Sequence, residues 1–257
     1  MMGRKVFIPN SPQRIISLVP SQTELLYDLG IADRIVGQTV FCIHPKSYFK
    51  NATKVGGTKK VRYELIKSLN PDLIICNKEE NTEEIVNHLS ELYPVWVSNI
   101  HTIDDACKMI LAIGEIAAAD QMASKMVDKI REDFKSPARL KKRSCIYLIW
   151  KNPYMAAGSV TFIQDMLTHA GFINLMPENS RYPELDISEI VQLQPEVLLL
   201  SSEPYPFAEK HIQELALQLP LTKIMLVDGE FFSWYGSHLV NSRFYFRQLQ
   251  DRLNTED

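Results

Sequence analysis

Apolar residues recur at spacings of three and four from Ile103 to Phe134, with Ala106, Met109, Ile110, Ile113, Val127 and Ile130 among them. That spacing predicts an amphipathic helix. Thr102, Asp104 and Asp105 suit its N-terminus, where a side-chain oxygen caps and acids meet the positive end of the dipole. Basic residues and Pro137 supply a stop. At 1.5 Å per residue, a run of roughly 32 residues extends about 48 Å, longer than a small domain is wide. The competing pattern is two ordinary helices broken near Gly114 or at Ala119-Asp120.

On either side of this segment the pattern changes to short, wholly apolar runs between helical stripes. RIISLV (Arg14 to Val19) reads as a strand, and Ser21-Gln22-Thr23-Glu24 then fits an S-x-x-E capping box ahead of a helix closed by Gly30. RIVG, DLIIC and VWVS are further strands. The second half answers with CIYLIW, a capping box at Thr161 to Gln164, and a helix closed by Gly171. YELIKSLNPDLIICN matches SEIVQLQPEVLLLSS, pairing Ile66 with Ile190, Leu69 with Leu193, Pro71 with Pro195 and Asp72 with Glu196. Apolar strands bounded by helices are buried on both faces, so each half is expected to be an α/β unit on a parallel or mostly parallel sheet.

Composition narrows the function classes. The chain has 257 residues, enough for two lobes with real cores, and its 23% charged content with a net charge of −3 leaves no basic stripe for nucleic acid. Four scattered cysteines form no CxxC, so neither a disulfide framework nor a zinc site is expected. No apolar run reaches the length of a membrane span. The opening MMGRKVFIPNSPQR has no apolar h-region, so a cytoplasmic location is expected from the sequence as it stands.

Catalytic motifs are missing: there is no GxSxG, HExxH, Walker loop or strand-borne GxGxxG. The histidines show no metal-ligand spacing; His88, His169 and His211 fall in amphipathic helices and are expected at or near the surface. Aromatics say more. Phe41, Trp150, Tyr154, Tyr205, Trp234 and Tyr235 lie at predicted strand ends or in the loops after them. Open α/β sheets bind ligands outside the carboxyl ends of their strands, and aromatic bodies with polar tips suit a large, flat, partly apolar ligand. Some of these rings are equally suited to plugging the cores. Glu79, Glu80, Glu83 and Glu84 crowd one strand-to-helix junction, either for the helix dipole or for a basic partner.

The motifs RIISLVPSQTELLYDLG, VGGTKKVRYELIKSLNPDLIICNKEEN, the long helix, GSVTFIQDMLTHAGFINL and SEIVQLQPEVLLLSSEP together resemble a known family. It is that of the ABC-importer substrate-binding proteins with a single long backbone helix, which bind vitamin B12 or iron siderophores and are also called helical backbone metal receptors. The resemblance covers nearly the whole chain. It implies two Rossmann-like lobes, residues 1–102 and 138–257, joined by a rigid helix over 103–137, with a ligand cleft between lobes and no catalysis. The implied ligand is cobalamin-like or an iron or other metal chelate, with no intrinsic cofactor and no metal held by the chain alone. The ligand-facing positions it implies are Phe41 and His44 in the FCIHP loop, Trp150 and Tyr154, and Trp234 and Tyr235 in FFSWYG. Glu83 sits where the family's first lobe offers a glutamate to arginines of an ABC permease, and Glu209 is its second-lobe counterpart. Such proteins carry export signals, so a periplasmic or cell-envelope location follows if the start is trimmed. A monomer is expected. The alternative function is a cytosolic corrinoid- or chelate-processing enzyme or carrier, not coupled to a permease, using His44, Cys42 or His238. A third is an interaction module that docks a basic partner on its acidic junctions.

Overall fold

The computed structural model describes residues 5–8, 11–47, 52–135, 141–176, 178 and 180–255. Pro137, which enters the sequence expectations, lies outside these. The chain forms two compact units: residues 1–100, 104–131 and 234–240 make one, and 101–103, 132–233 and 241–257 the other. Most of the helical segment and the short stretch Trp234–Val240 therefore group with the first unit.

The first unit begins with β1 (Ile15–Ser17), α1 (Pro20–Asp28), β2 (Ile35–Gln38) and β3 (Thr53–Lys54). It continues through α2 (Tyr63–Leu69), β4 (Leu73–Asn77), α3 (Glu83–Ser90) and β5 (Val95–Ser98). The sheet runs β3-β2-β1-β4-β5 with every pairing parallel. β1 and β4 are buried throughout, as expected of apolar strands covered on both faces. Ile16, Leu18, Ile66, Ile74, Ile85 and Leu89 form one shared core.

After α4 (Ile103–Ala117) and α5 (Asp120–Lys135), the second unit is built from β6 (Arg143–Trp150), β7 (Tyr154–Ala156), α6 (Phe162–His169), β8 (Phe172–Asn174) and β9 (Glu184–Leu185). There follow α7 (Ile187–Leu193), β10 (Val197–Ser201), α8 (Glu209–Ala216), β11 (Lys223–Val227), α9 (Glu230–Ser233) and α10 (Leu239–Thr255). Its sheet is ordered β11-β10-β6-β7-β9, with β8 also on β6. β6, β8, β10 and β11 run parallel, while β7 and β9 are antiparallel additions at one edge. This is a mostly parallel sheet, in line with the expected α/β class.

The internal repeat extends to hydrogen bonds. Asn70 and Gln194 end α2 and α7 in the left-handed region, at φ +44° and +45°. Each is followed by proline and an acid. The Asp72 carboxylate accepts the backbone N–H groups of Gln13 and Arg14 at 2.7 and 2.9 Å, just before β1. Glu196 accepts the N–H of Ser144 at 2.6 Å and its hydroxyl at 3.0 Å, at the start of β6. In both units, then, an acid after the helix–proline turn clamps the incoming central strand.

Two local expectations change. The predicted single helix is interrupted: Ala118 adopts φ +53°, its N–H donates to the Glu115 carbonyl at 3.2 Å, and that of Ala119 to Gly114 at 2.7 Å. These bonds make a Schellman stop with alanine where glycine usually sits, and they place the break where the competing two-helix pattern had it, between Gly114 and Asp120. Gly114 also lets α5 approach, since a Cβ there would lie 2.4 Å from that of Ala123. The Ser21–Glu24 capping box is not formed, because α1 starts one residue earlier, at Pro20, with no side-chain cap. Thr161 does cap α6, accepting the Gln164 N–H at 3.2 Å, but the Gln164 side chain turns to Asn174 and Thr168.

Replacing Ala118 by glycine removes the left-handed penalty and is expected to stabilise the protein by about 1 kcal/mol. Gly114→Ala is expected to cost about 1–3 kcal/mol through overpacking against Ala123. Urea midpoints of the two variants against the parent check both signs.

Candidate functional site

In the first unit the candidate side chains gather in the loop after β2 and in the segment Trp234–His238 that packs on α1. Cys42, in the loop after β2, is buried with its Sγ 3.1 Å from the hydroxyls of both Thr23 and Thr39. Burial pushes its thiol up, which the two hydroxyls oppose. A thiol of that kind is a poor nucleophile, so the expectation of Cys42 as a processing residue is corrected to a packing role. Phe41 beside it is 56% exposed. His44 is half-buried and meets the edge of Trp234 at a centroid distance of 5.4 Å. His238 completes the group, 5.6 Å from Trp234 and 6.3 Å from His44.

Trp234 and Tyr235 are only 6% and 4% exposed, so both pack largely as core. What holds their segment is α1. The His238 Nδ1 lies 3.1 Å from the Glu24 carboxylate, and both side chains are 14% exposed. Gly236, at φ +150°, lies against α1 closely enough that a Cβ would stand 3.1 Å from the Ser21 carbonyl. Burial pushes the Asp28 carboxyl up; the Ser237 hydroxyl opposes that, Glu24 adds to it and His238 opposes it. Glu24 and Asp28, one helical turn apart, thus both face this segment.

The second unit carries an aromatic platform at the ends of β6 and β10. Trp150, 41% exposed, sits edge-on to Tyr205 at 5.6 Å, and Tyr205 packs on Phe207 at 4.8 Å. His211 lies beneath at 3% exposure, which corrects the expectation that it sits near the surface. Its Nδ1 accepts the Ala208 N–H at 2.9 Å, leaving Nε2 as the protonated nitrogen, 3.3 Å from the Tyr205 hydroxyl. Burial, then Lys151 and Lys210, hold the His211 pKa down, so the ring is neutral. Tyr154 is half-buried on β7, its phenol pushed up by burial. Lys151 pairs with Glu214 at 2.5 Å. The sequence identified the tyrosines and tryptophan, but not His211 as the prop behind them: a histidine on an amphipathic helix gives no sign of which face it takes.

Glu83 and Glu209 are both exposed and each is the first residue of its helix, α3 after β4 and α8 after β10. Among the neighbouring acids, burial pushes the Glu80 carboxyl up, against Lys59 and Thr58. Among the described residues no group of three His, Cys, Asp or Glu side chains is arranged to hold a metal ion, and no helix is long and apolar enough to cross a membrane. A polar cavity of about 320 Å³ in the second unit is lined by His101, Thr102, Thr161, Gln164 and Asp165, among others. Its lining includes groups already engaged: Asp165 accepts the Ile103 N–H at 2.8 Å and Thr161 donates to Gly158 at 2.8 Å.

Comparison with known proteins gives a consistent set. The family model described as "Periplasmic binding protein" matches residues 15–220. The uncharacterized ABC transporter substrate-binding lipoprotein YvrC of Bacillus subtilis is 26% identical over 209 residues, covering 77% of this chain and 66%, just under two thirds, of the relative. The vitamin B12-binding protein of Vibrio campbellii is 25% identical over 202 residues, covering 75% and 72%. The solved structure of the periplasmic heme-binding protein BhuT in complex with two hemes superposes with a TM-score of 0.81 at 19% identity, over 95% of this chain and all (100%) of that one. This last likeness shows the fold.

The low pKa of His211 has a stability consequence. A histidine whose folded pKa is depressed stabilises the fold above its unfolded value, near 6.5, and loses that contribution as pH falls toward the folded value. Between pH 7.5 and 5.5 the parent is therefore expected to lose more stability than His211→Gln. Denaturant titrations of both proteins at the two pH values measure the difference, and equal losses would contradict a neutral buried ring.

Proposed function

We propose that this chain, which belongs to the periplasmic binding protein family, is the substrate-binding component of an ABC-type importer for a cobalamin-like or iron-chelate ligand. The observation that carries this reading is the repeated placement of aromatic rings at the carboxyl ends of parallel strands: Phe41 and His44 after β2, Trp150 and Tyr205 after β6 and β10. Flat rings with polar tips suit a large conjugated macrocycle or chelate, gaining dispersion and stacking without any reaction. The relatives bearing vitamin B12 in their names and the haem-bound structural neighbour support the same ligand class.

Within this reading Phe41, His44, Trp150 and Tyr154 supply ligand surface, while Trp234 backs His44 and Tyr235, largely buried, contributes little. Glu83 and Glu209, at matching positions of the repeated α/β unit, would dock basic side chains of a permease. Binding is non-catalytic, the protein acts as a monomer, and it works outside the cytoplasm, as the family's name describes. The ligand comes and goes as cargo; no resident cofactor is part of the proposal.

Calorimetric titration with cyanocobalamin, with haemin and with a panel of ferric siderophores tests the ligand class: one of them is expected to bind at a single site. Trp150→Ala is then expected to weaken that ligand roughly tenfold, in line with the ~1–2 kcal/mol of a stacked ring. The Glu83→Ala, Glu209→Ala pair should leave ligand affinity unchanged while abolishing partner-dependent uptake. No response to any of these compounds would refute the ligand assignment.

A further inference from the structure

The stretch Trp234–Val240 follows the last strand of the second unit in sequence yet groups with the first unit. Its attachment there is unusual in chemistry. Most of the contacts that hold this fold are apolar, but here a histidine and a carboxylate 214 residues apart meet at 3.1 Å with little exposure to water. Ion pairs of that kind are costly to bury and strongly destabilising to break from one side. A second carboxylate, Asp28, stands one turn along α1, with the Ser237 hydroxyl and His238 both acting on it. Among the described contacts, the groups facing His238 include Glu24 and Asp28 from α1, His44 from the loop after β2, and Trp234 from its own segment.

This arrangement responds to a proton. With His238 protonated, the ring cation meets Glu24 directly and offsets the Asp28 charge. Without that proton, a neutral ring faces two carboxylates on adjacent turns, and like charges at that spacing repel. The contact is thus strongest with the ring protonated and weakens as the proton is lost at higher pH. Because His44 and Trp234 touch the same ring, whatever fixes His238 also fixes the aromatic wall.

We propose that Glu24 is a positioning residue for the ligand wall: acting through His238, it latches the segment 234–240 onto α1 and makes ligand binding at His44 and Trp234 depend on one proton. This rests on the binding-protein reading above, although the latch itself can be tested without a ligand. Glu24 touches no ligand in this scheme; it acts through the imidazole.

The first experiment uses the full chain with Trp96→Phe and Trp150→Phe, so that Trp234 is the sole emitter. Its fluorescence is expected to titrate with a single proton between pH 5.5 and 8. His238→Gln should abolish the transition, Glu24→Gln should move its midpoint down by about one pH unit, and Glu24→Asp should restore it in part. If the double-phenylalanine background does not fold, the His238 ring proton followed by NMR in the otherwise unaltered chain, and assigned by its loss in His238→Gln, gives the same curve. In the second experiment, the affinity for cyanocobalamin and for haemin is measured at pH 6 and pH 8. At least a fivefold weakening at pH 8 is expected in the parent, and none in His238→Gln. A transition that survives His238→Gln, or is unmoved by Glu24→Gln, overturns the latch. Binding that is pH-independent while the fluorescence transition behaves as expected overturns the link to the ligand wall. Failure to bind either compound while the transition behaves as expected leaves the latch standing and counts against the ligand class alone.

Discussion

Each lobe depends on a central strand that is hydrogen-bonded along both edges and buried on both faces. β1 lies between β2 and β4, and β6 between β10 and its β7 and β8 neighbours. β1 is buried throughout and β6 over Cys145–Leu148, so the backbone groups there must find partners within the protein. The clamps by Asp72 and Glu196 meet that demand at the point where the ladder begins, taking up N–H groups just ahead of β1 and at the start of β6. Once the central strand is fixed, its carboxyl end is fixed, and with it the loop that carries the chemistry.

That geometry sets how the side chains at the strand ends are held. The loop after β2 turns Cys42 inward between two threonine hydroxyls and leaves Phe41 outside. The loop after β10 sets Tyr205 edge-on to Trp150 and braces it on the His211 ring. In each case the buried polar group spends its hydrogen bonds on holding a ring in place. Rings held in this way lose little freedom when something packs against them.

The strands and the repeat were legible in the sequence because they follow from local composition. Apolar runs such as DLIIC and EVLLLSS can only be comfortable when covered on both faces, and the paired Asp72 and Glu196 emerge as equivalent in bonding as well as in position. The aromatic strand-end residues were legible for the same reason, since strand boundaries place them. Misread or unseen were features that local pattern does not encode. Ala118 takes a left-handed turn that alanine tolerates only because the Schellman bonds and the close Gly114–Ala123 approach repay it. Glu24 looked like half of a capping box, yet its partner is His238, far along the chain.

What the sequence determined by itself is the set of elements, their α/β alternation, the duplication, and the family to which these motifs point, because periodicity and turn chemistry act over a few residues. What the tertiary structure alone decided is which of the singled-out side chains face water and which become struts: Trp234, Tyr235, Cys42 and His211 are buried, Phe41 and Trp150 are not. That choice depends on contacts between residues tens to hundreds of positions apart. Burial and charge pairing at such distances are properties of packing, and no spacing along the chain carries them.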